Sequence, residues 1–256
     1  MNPSLDRDQA LIVALDVSSA VEARRIVAAL GDSVRIYKVG MQLYTAEGPA
    51  IVRELVASRH QVFLDLKYHD IPSTVAAAVR EAARLGVTML TVHASGGKKM
   101  LEAAAEAANG RASTGVPTAF RNGPAGADVL KVLAVTVLTS MQESDLVETG
   151  VQAKLVDQVL RLASTGLKAG CAGVVSSARE TRMLRSQLGN GFLVVNPGVR
   201  PSGTDEGDQA RVVTPADAIA SGATHIVVGR PITGAGDPVA AARAIQQEIR
   251  RAAEQL

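Results

Sequence analysis

Short apolar runs, several rich in Val and Ile, recur along this chain between Ala-rich segments dotted with charge. The runs are too short for buried helices and predict strands covered on both faces, as parallel sheets require. Eight such strands are expected, near residues 10–16, 35–39, 61–67, 88–93, 131–138, 172–176, 192–196 and 225–229. Helical periodicity fills the spaces between them: Ala20 to Leu30, Pro49 to Ser58, Thr74 to Leu85, Lys98 to Ala108, Val151 to Thr165, Ala178 to Leu188, Pro215 to Ser221 and Asp237 to Gln255. Eight strand–helix units in 256 residues have the size and rhythm of a TIM (β/α)8 barrel, whereas an open doubly wound sheet ordinarily uses about five or six strands. An α/β barrel forming a single domain over residues 1–256 is therefore expected. One segment breaks the rhythm: Asn109 to Asp128 holds four Gly and two Pro with neither period, and predicts a surface loop away from the chemistry.

Composition narrows the function. Hydrophobic residues at 47% supply a sizeable core. A net charge of +2 offers no general attraction for nucleic acid or anionic lipid, and 2% aromatics without Trp leave no platform for stacking bases. The single cysteine, Cys171, rules out a disulfide framework within the chain and is expected to be a packed small hydrophobe, while four scattered His leave a zinc cluster few ligands. No run approaches the roughly 18 apolar residues of a membrane span. The opening MNPSLDRDQA lacks the layout of a signal peptide, so a cytoplasmic location is expected.

Function in such a barrel is built at the carboxyl ends of the strands, where this sequence places a polar residue almost every time. Asp16 follows LIVAL, Lys38 lies in IYKVG, Asp65 and Lys67 end VFLDLK, His93 ends LTVH, Thr139 follows VTVL and Arg230 follows IVVG. Strand alternation puts Phe63, Asp65 and Lys67 on one face and Val62, Leu64 and Leu66 on the other, so the charges should project into the barrel mouth. Asp70 follows, and Pro72 with Thr74 opens the next helix. Two carboxylates around one ammonium fit a catalytic array and a structural charge network about equally well on the residues alone. An ammonium so flanked suits a proton donor and not a Schiff-base amine. Asp16 and Lys38 fit either a structural ion pair or a grip on sugar hydroxyls, and His93 is expected to satisfy neighbouring carbonyls.

Loops after the seventh and eighth strands often hold phosphate in this architecture. Here Asn196, Pro197, Gly198, Val199 and Arg200 lead through a Gly-rich stretch to Gly207, Asp208 and Gln209, and Gly229 precedes Arg230. Two guanidinium forks beside a glycine that lets the backbone come close point to a phosphorylated substrate.

Taken together, ALDV at 14–17, KVG at 38–40, DLKYHDIPSTV at 65–75, VHASGG at 92–97, VTVLTSM at 135–141, NPGVRPSG at 196–203, GDQ at 207–209 and VVGRPIT at 227–233 resemble the orotidine 5'-monophosphate decarboxylases of the bacterial type, nearly end to end. The resemblance implies a decarboxylation of orotidine monophosphate to uridine monophosphate that uses no cofactor and no metal. It implies that Lys67 protonates C6 of the pyrimidine, with Asp65 and Asp70 as its catalytic partners. It also implies a homodimer in which Asp70, Ile71 and Thr74 reach the neighbouring subunit's site. By the same resemblance Asp16 and Lys38 serve the ribose hydroxyls and Thr139 the pyrimidine edge. Pro197 joins the substrate-binding set, and Arg200, Gln209, Gly229 and Arg230 hold the phosphate. The 109–128 loop is longer than usual for that family. Sugar-phosphate barrels that hold an enediolate on magnesium share Asp-x-Lys-x-x-Asp, but lack the full IPST and GVR-to-GDQ context. A barrel that binds nucleotide without chemistry would not need the charged core.

Overall fold

The computed structural model describes residues 9–110, 129–201 and 213–254. The greater part of the expected 109–128 loop, and Gln209, lie outside the described residues. Eight parallel strands close into a barrel in chain order: β1 (Leu11–Ala14), β2 (Ile36–Gly40), β3 (Gln61–Tyr68), β4 (Met89–His93), β5 (Lys131–Val135), β6 (Gly173–Val175), β7 (Leu193–Asn196) and β8 (His225–Val228), which pairs back onto β1. The major helices are α1 (Ala20–Leu30), α3 (Pro49–Ala57), α4 (Pro72–Arg84), α5 (Lys98–Ala108), α7 (Leu155–Lys168), α8 (Ala178–Leu188), α9 (Pro215–Ala220) and α11 (Pro238–Ala253).

Period-two alternation divides the core into two parts. Ile12, Ala14, Ile36, Phe63, Met89, Leu133, Val135, Val175, Val195 and Val227 fill the barrel interior. Their chain neighbours, among them Leu11, Val13, Val62, Leu64, Leu90 and Val194, pack outward against the helices. Each large aliphatic side chain so buried stabilises the fold by about 1.5–3 kcal/mol before the entropy of ordering it is counted. The spacing is tight enough to demand glycine at one interior position: a Cβ on Gly173 would run into the Leu193 carbonyl oxygen and side chain.

The structure departs from the sequence reading in its short elements. Three helices were not anticipated: α2 (Met41–Glu47), α6 (Glu143–Glu148) and α10 (Arg230–Thr233). None exceeds two turns, too short for a helical period to register. The start of α6 is marked by a capping box of Gln142 and Asp145, a Gln/Asp variant of the usual Ser/Thr–Glu signature. The fifth strand stops at Val135 and not near residue 138, leaving Thr139 in a loop. Helix α4 begins at Pro72, the proline expected to open it, two residues before the periodicity sets in at Thr74, because a proline at the first helical position loses no hydrogen bond.

Candidate active site

Inward-facing positions at the carboxyl ends of β1, β2 and β3 carry charge where deeper positions, Ile12, Ala14, Ile36 and Phe63, carry apolar groups. Lys38, two residues beyond the buried Ile36, is itself buried, with 9% of its surface exposed. Its Nζ lies 2.7 Å from Asp16 Oδ1 and 3.7 Å from Asp65 Oδ2, while Lys67 Nζ lies 2.9 Å from Asp65 Oδ1. The four side chains form a row of alternating sign: Asp16, Lys38, Asp65, Lys67. A Cβ on Gly40 would stand 3.0 Å from both Asp16 Oδ1 and Lys38 Nζ, so the glycine ending β2 leaves room for the first pair.

Asp65 and Lys67 do meet, but the strand between them is not regular. β3 pairs Leu64 with Leu90 and then Tyr68 with Val92, so Asp65, Leu66 and Lys67 stand opposite Thr91 alone. Lys67 takes up the distortion with φ at 52°, in the left-handed region that costs a non-glycine residue about 1–2 kcal/mol. Thr91, fully buried, accepts a hydrogen bond from the Lys67 backbone N–H (2.9 Å) and donates one to Asp65 Oδ1 (3.0 Å). The sequence reading missed this threonine because it weighed strand ends and not the interior of MLTVH.

The charged row borders a cavity of ≈ 660 Å³ at the barrel mouth. Ala14, Phe63, Val135, Leu138 and Val227 supply apolar wall, and Thr139, Ser140, Pro197, Arg200, Gly229 and Arg230 supply much of the remainder. Arg200 is buried after β7, in a loop held by its backbone N–H to Val213 O (3.1 Å). Arg230 opens α10 directly after Gly229. In the closed order β3 and β7 are four strands apart, so the Lys67 and Arg200 segments face each other across the ring.

Of the expected site residues, Asp16, Lys38, Asp65, Lys67, Thr139, Pro197, Arg200, Gly229 and Arg230 line this one cavity. Asp70, Ile71 and Thr74 do not: all three are exposed where β3 leads into α4, with Ile71 64% accessible and Asp70 Oδ1 accepting from the Ile71 N–H (2.6 Å). His93 ends β4 half-buried, its ring 5.6 Å from that of His69. Burial first, then the electrostatic influence of His69 and Lys67, hold its pKa below the ordinary imidazole value. Burial pushes the Cys171 thiol up to about 12, which leaves an inert, packed side chain. Among the described residues no group of three or more His, Cys, Asp or Glu side chains is arranged to hold a metal ion, and no helix is long and apolar enough to cross a membrane.

Residues 9–245 match the model of the Orotidine 5'-phosphate decarboxylase / HUMPS family. The chain belongs to this family. Orotidine 5'-phosphate decarboxylase of Moorella thermoacetica is 49% identical over 240 residues, covering 93% of this chain and 91% of that protein. The Vibrio parahaemolyticus protein of the same name is 43% identical over 242 residues, covering 94% of this chain and 98% of its own length. Among solved structures, orotidine 5'-phosphate decarboxylase from Lactobacillus acidophilus superposes with a TM-score of 0.81 at 38% identity, over 94% of this chain and 99% of that one. A conserved protein of Geobacillus kaustophilus, described as uncharacterized, gives 0.78 at 38% identity over 93% and 99%. The match to the orotidine 5'-phosphate decarboxylase family takes in all eight strands and every candidate residue from Asp16 to Arg230.

Proposed function

We propose that this chain decarboxylates orotidine 5'-monophosphate to uridine 5'-monophosphate, in de novo pyrimidine synthesis, without a cofactor, and that Lys67 supplies the proton that replaces the carboxyl group at C6. The observation that carries this reading is the row Asp16–Lys38–Asp65–Lys67 on the wall of the mouth cavity, in a chain of this family.

The chemistry follows from where charge develops. As the bond between C6 and the carboxyl group breaks, its electron pair stays on C6, in an orbital the ring carbonyls cannot delocalise. An ammonium held at that carbon stabilises the developing carbanion more than the ground state, and in a site walled off from bulk water the gain is larger. Lys67 then transfers its proton to C6, carbon dioxide leaves, and the neutral amine regains a proton from solvent. Asp65, 2.9 Å from the ammonium, aims it. Lys38 on the other side of Asp65 stops that carboxylate from claiming Lys67 alone.

The rest of the cavity would bind the nucleotide. Asp16 and Lys38 suit the ribose hydroxyls and Thr139 the pyrimidine edge, and Pro197 lines the same cavity. Arg200, Arg230 and Gly229 suit the phosphate, the role the family resemblance also gives Gln209, and the phosphate's binding energy serves to orient the reacting end. Asp70, Ile71 and Thr74 are exposed away from their own chain's cavity, which fits a homodimer in which each subunit lends them to its partner, with Asp70 completing the carboxylates around the partner's Lys67. We place the enzyme in the cytoplasm.

The test is the loss of orotidine monophosphate absorbance with purified protein in excess chelator, alongside the Lys67→Ala variant. Turnover should persist in chelator and fall by about 10³-fold or more in the variant while its melting transition survives. A strict magnesium requirement would instead favour enediolate chemistry on a sugar phosphate, and near-normal turnover by Lys67→Ala would remove the lysine from its role. Tight nucleotide binding with no turnover would leave a binding barrel.

A further inference from the structure

We infer that Thr91 is a positioning residue for the decarboxylation: its hydroxyl locks the Asp65 carboxylate and the Lys67 backbone into the geometry that delivers the ammonium. This inference rests on the reading of the site proposed above.

Three observations converge on this side chain. It stands alone opposite Asp65, Leu66 and Lys67, at the break in the β3–β4 ladder. The irregular pairing takes the Lys67 N–H out of the ladder, and an unpaired buried N–H is costly, yet Thr91 Oγ1 accepts from it at 2.9 Å. The same oxygen spends its one proton on Asp65 Oδ1 at 3.0 Å, the oxygen that also receives Lys67 Nζ at 2.9 Å. Backbone N–H, hydroxyl, carboxylate and ammonium thus close a ring in which Lys67 is held at both ends. With φ at 52°, the lysine backbone has an unfavourable conformation to maintain, and Thr91 is the side chain that holds it there.

A hydroxyl used once as acceptor and once as donor makes a sharp chemical demand. Serine can meet it, and valine, which has nearly the same shape, cannot. Thr91 reaches the substrate only through Asp65 and Lys67, so its loss should weaken the chemical step and spare binding.

Wild type, Thr91→Val and Thr91→Ser are compared for kcat and KM with orotidine monophosphate, for affinity toward uridine monophosphate, and for melting temperature. The valine variant should lose about tenfold to hundredfold in kcat. Its KM and its product affinity should stay within about threefold of wild type, and serine should restore kcat to within about threefold. Should the valine variant fail to melt cooperatively, Thr91→Ala takes its place under the same criteria, since it also removes the hydroxyl but introduces no new bulk. Wild-type kcat without the hydroxyl, a loss seen mainly in KM, or a serine variant as impaired as valine would each overturn the inference. A wild-type chain without turnover would overturn the parent reading and this one with it, whereas an active wild type beside an unimpaired valine variant overturns this one alone.

Discussion

Acidification from about pH 7.5 to about pH 4 should destabilise the barrel through one imidazole in particular, that of His225. This residue begins β8, and its Nδ1 lies 3.0 Å from Thr224 Oγ1. The Thr224 hydroxyl donates its proton to Val194 O and accepts from Val194 N, both at 2.9 Å. With the hydroxyl proton assigned to Val194 O, the contact suits a hydrogen on Nδ1 and an unprotonated Nε2. Burial, followed by the charge of Lys131, lowers the pKa of His225 from 6.5 to about 4. The folded chain keeps this ring neutral where the unfolded chain protonates it, so unfolding takes up a proton and stability falls as pH drops through the interval. The slope approaches 1.36 kcal/mol per pH unit, and between 6.5 and about 4 it amounts to about 3 kcal/mol. Above pH 6.5 both states are neutral and the contribution is fully present. His60 and His93 are displaced in the same direction and add to the total, so a variant must isolate His225. Asparagine places an N–H near the position of Nδ1 and does not titrate. Urea unfolding of wild type and His225→Asn at both pH values should show the variant less sensitive to acid by about 3 kcal/mol. Equal pH dependence in the two proteins would refute the assignment.

Two further outcomes are expected. Arg230→Ala should raise KM for orotidine monophosphate by about tenfold to hundredfold with a smaller change in kcat, and should leave the affinity for uridine, which lacks the phosphate, unchanged in a calorimetric titration. Arg185→Lys should lower stability by about 2 kcal/mol in denaturant melts without changing activity per folded molecule. Its guanidinium donates to Gly222 O and Phe192 O, both at 2.9 Å, and lies 4.6 Å from the Phe192 ring centroid, a fork that an ammonium cannot reproduce.

The strands were legible because each carries an apolar run, and because both faces of a barrel strand are buried. Alternation alone placed Phe63 inward and Val62 and Leu64 outward, as observed. Where the strand is distorted, legibility ended. Nothing in DLKYHD announces that Lys67 lies in the left-handed region, since that conformation is held by contacts with β4 and not by local preference. Thr91 shares a face with Met89, two residues earlier in β4, and the same alternation applied inside that strand would have drawn it out. Asp16 and Lys38 stayed undecided between ion pair and sugar grip because spacing does not give register. Pairing of Ala14 with Lys38 and the bare Gly40 beside them bring the two charges to 2.7 Å. The short helices escaped because a pattern needs more than two turns to repeat.

Closure of the ring has a consequence for how the molecule comes into being. The lysines and aspartates of the charged row leave the ribosome within the first third of the chain, whereas Arg200 and Arg230 emerge in its last quarter, and β8 must dock against β1 before the mouth acquires its full rim. No nascent fragment that ends before β8 can assemble both ends of the cavity. Catalytic competence should appear abruptly, with the final strand, and serve as a sensitive report that the whole barrel has been completed.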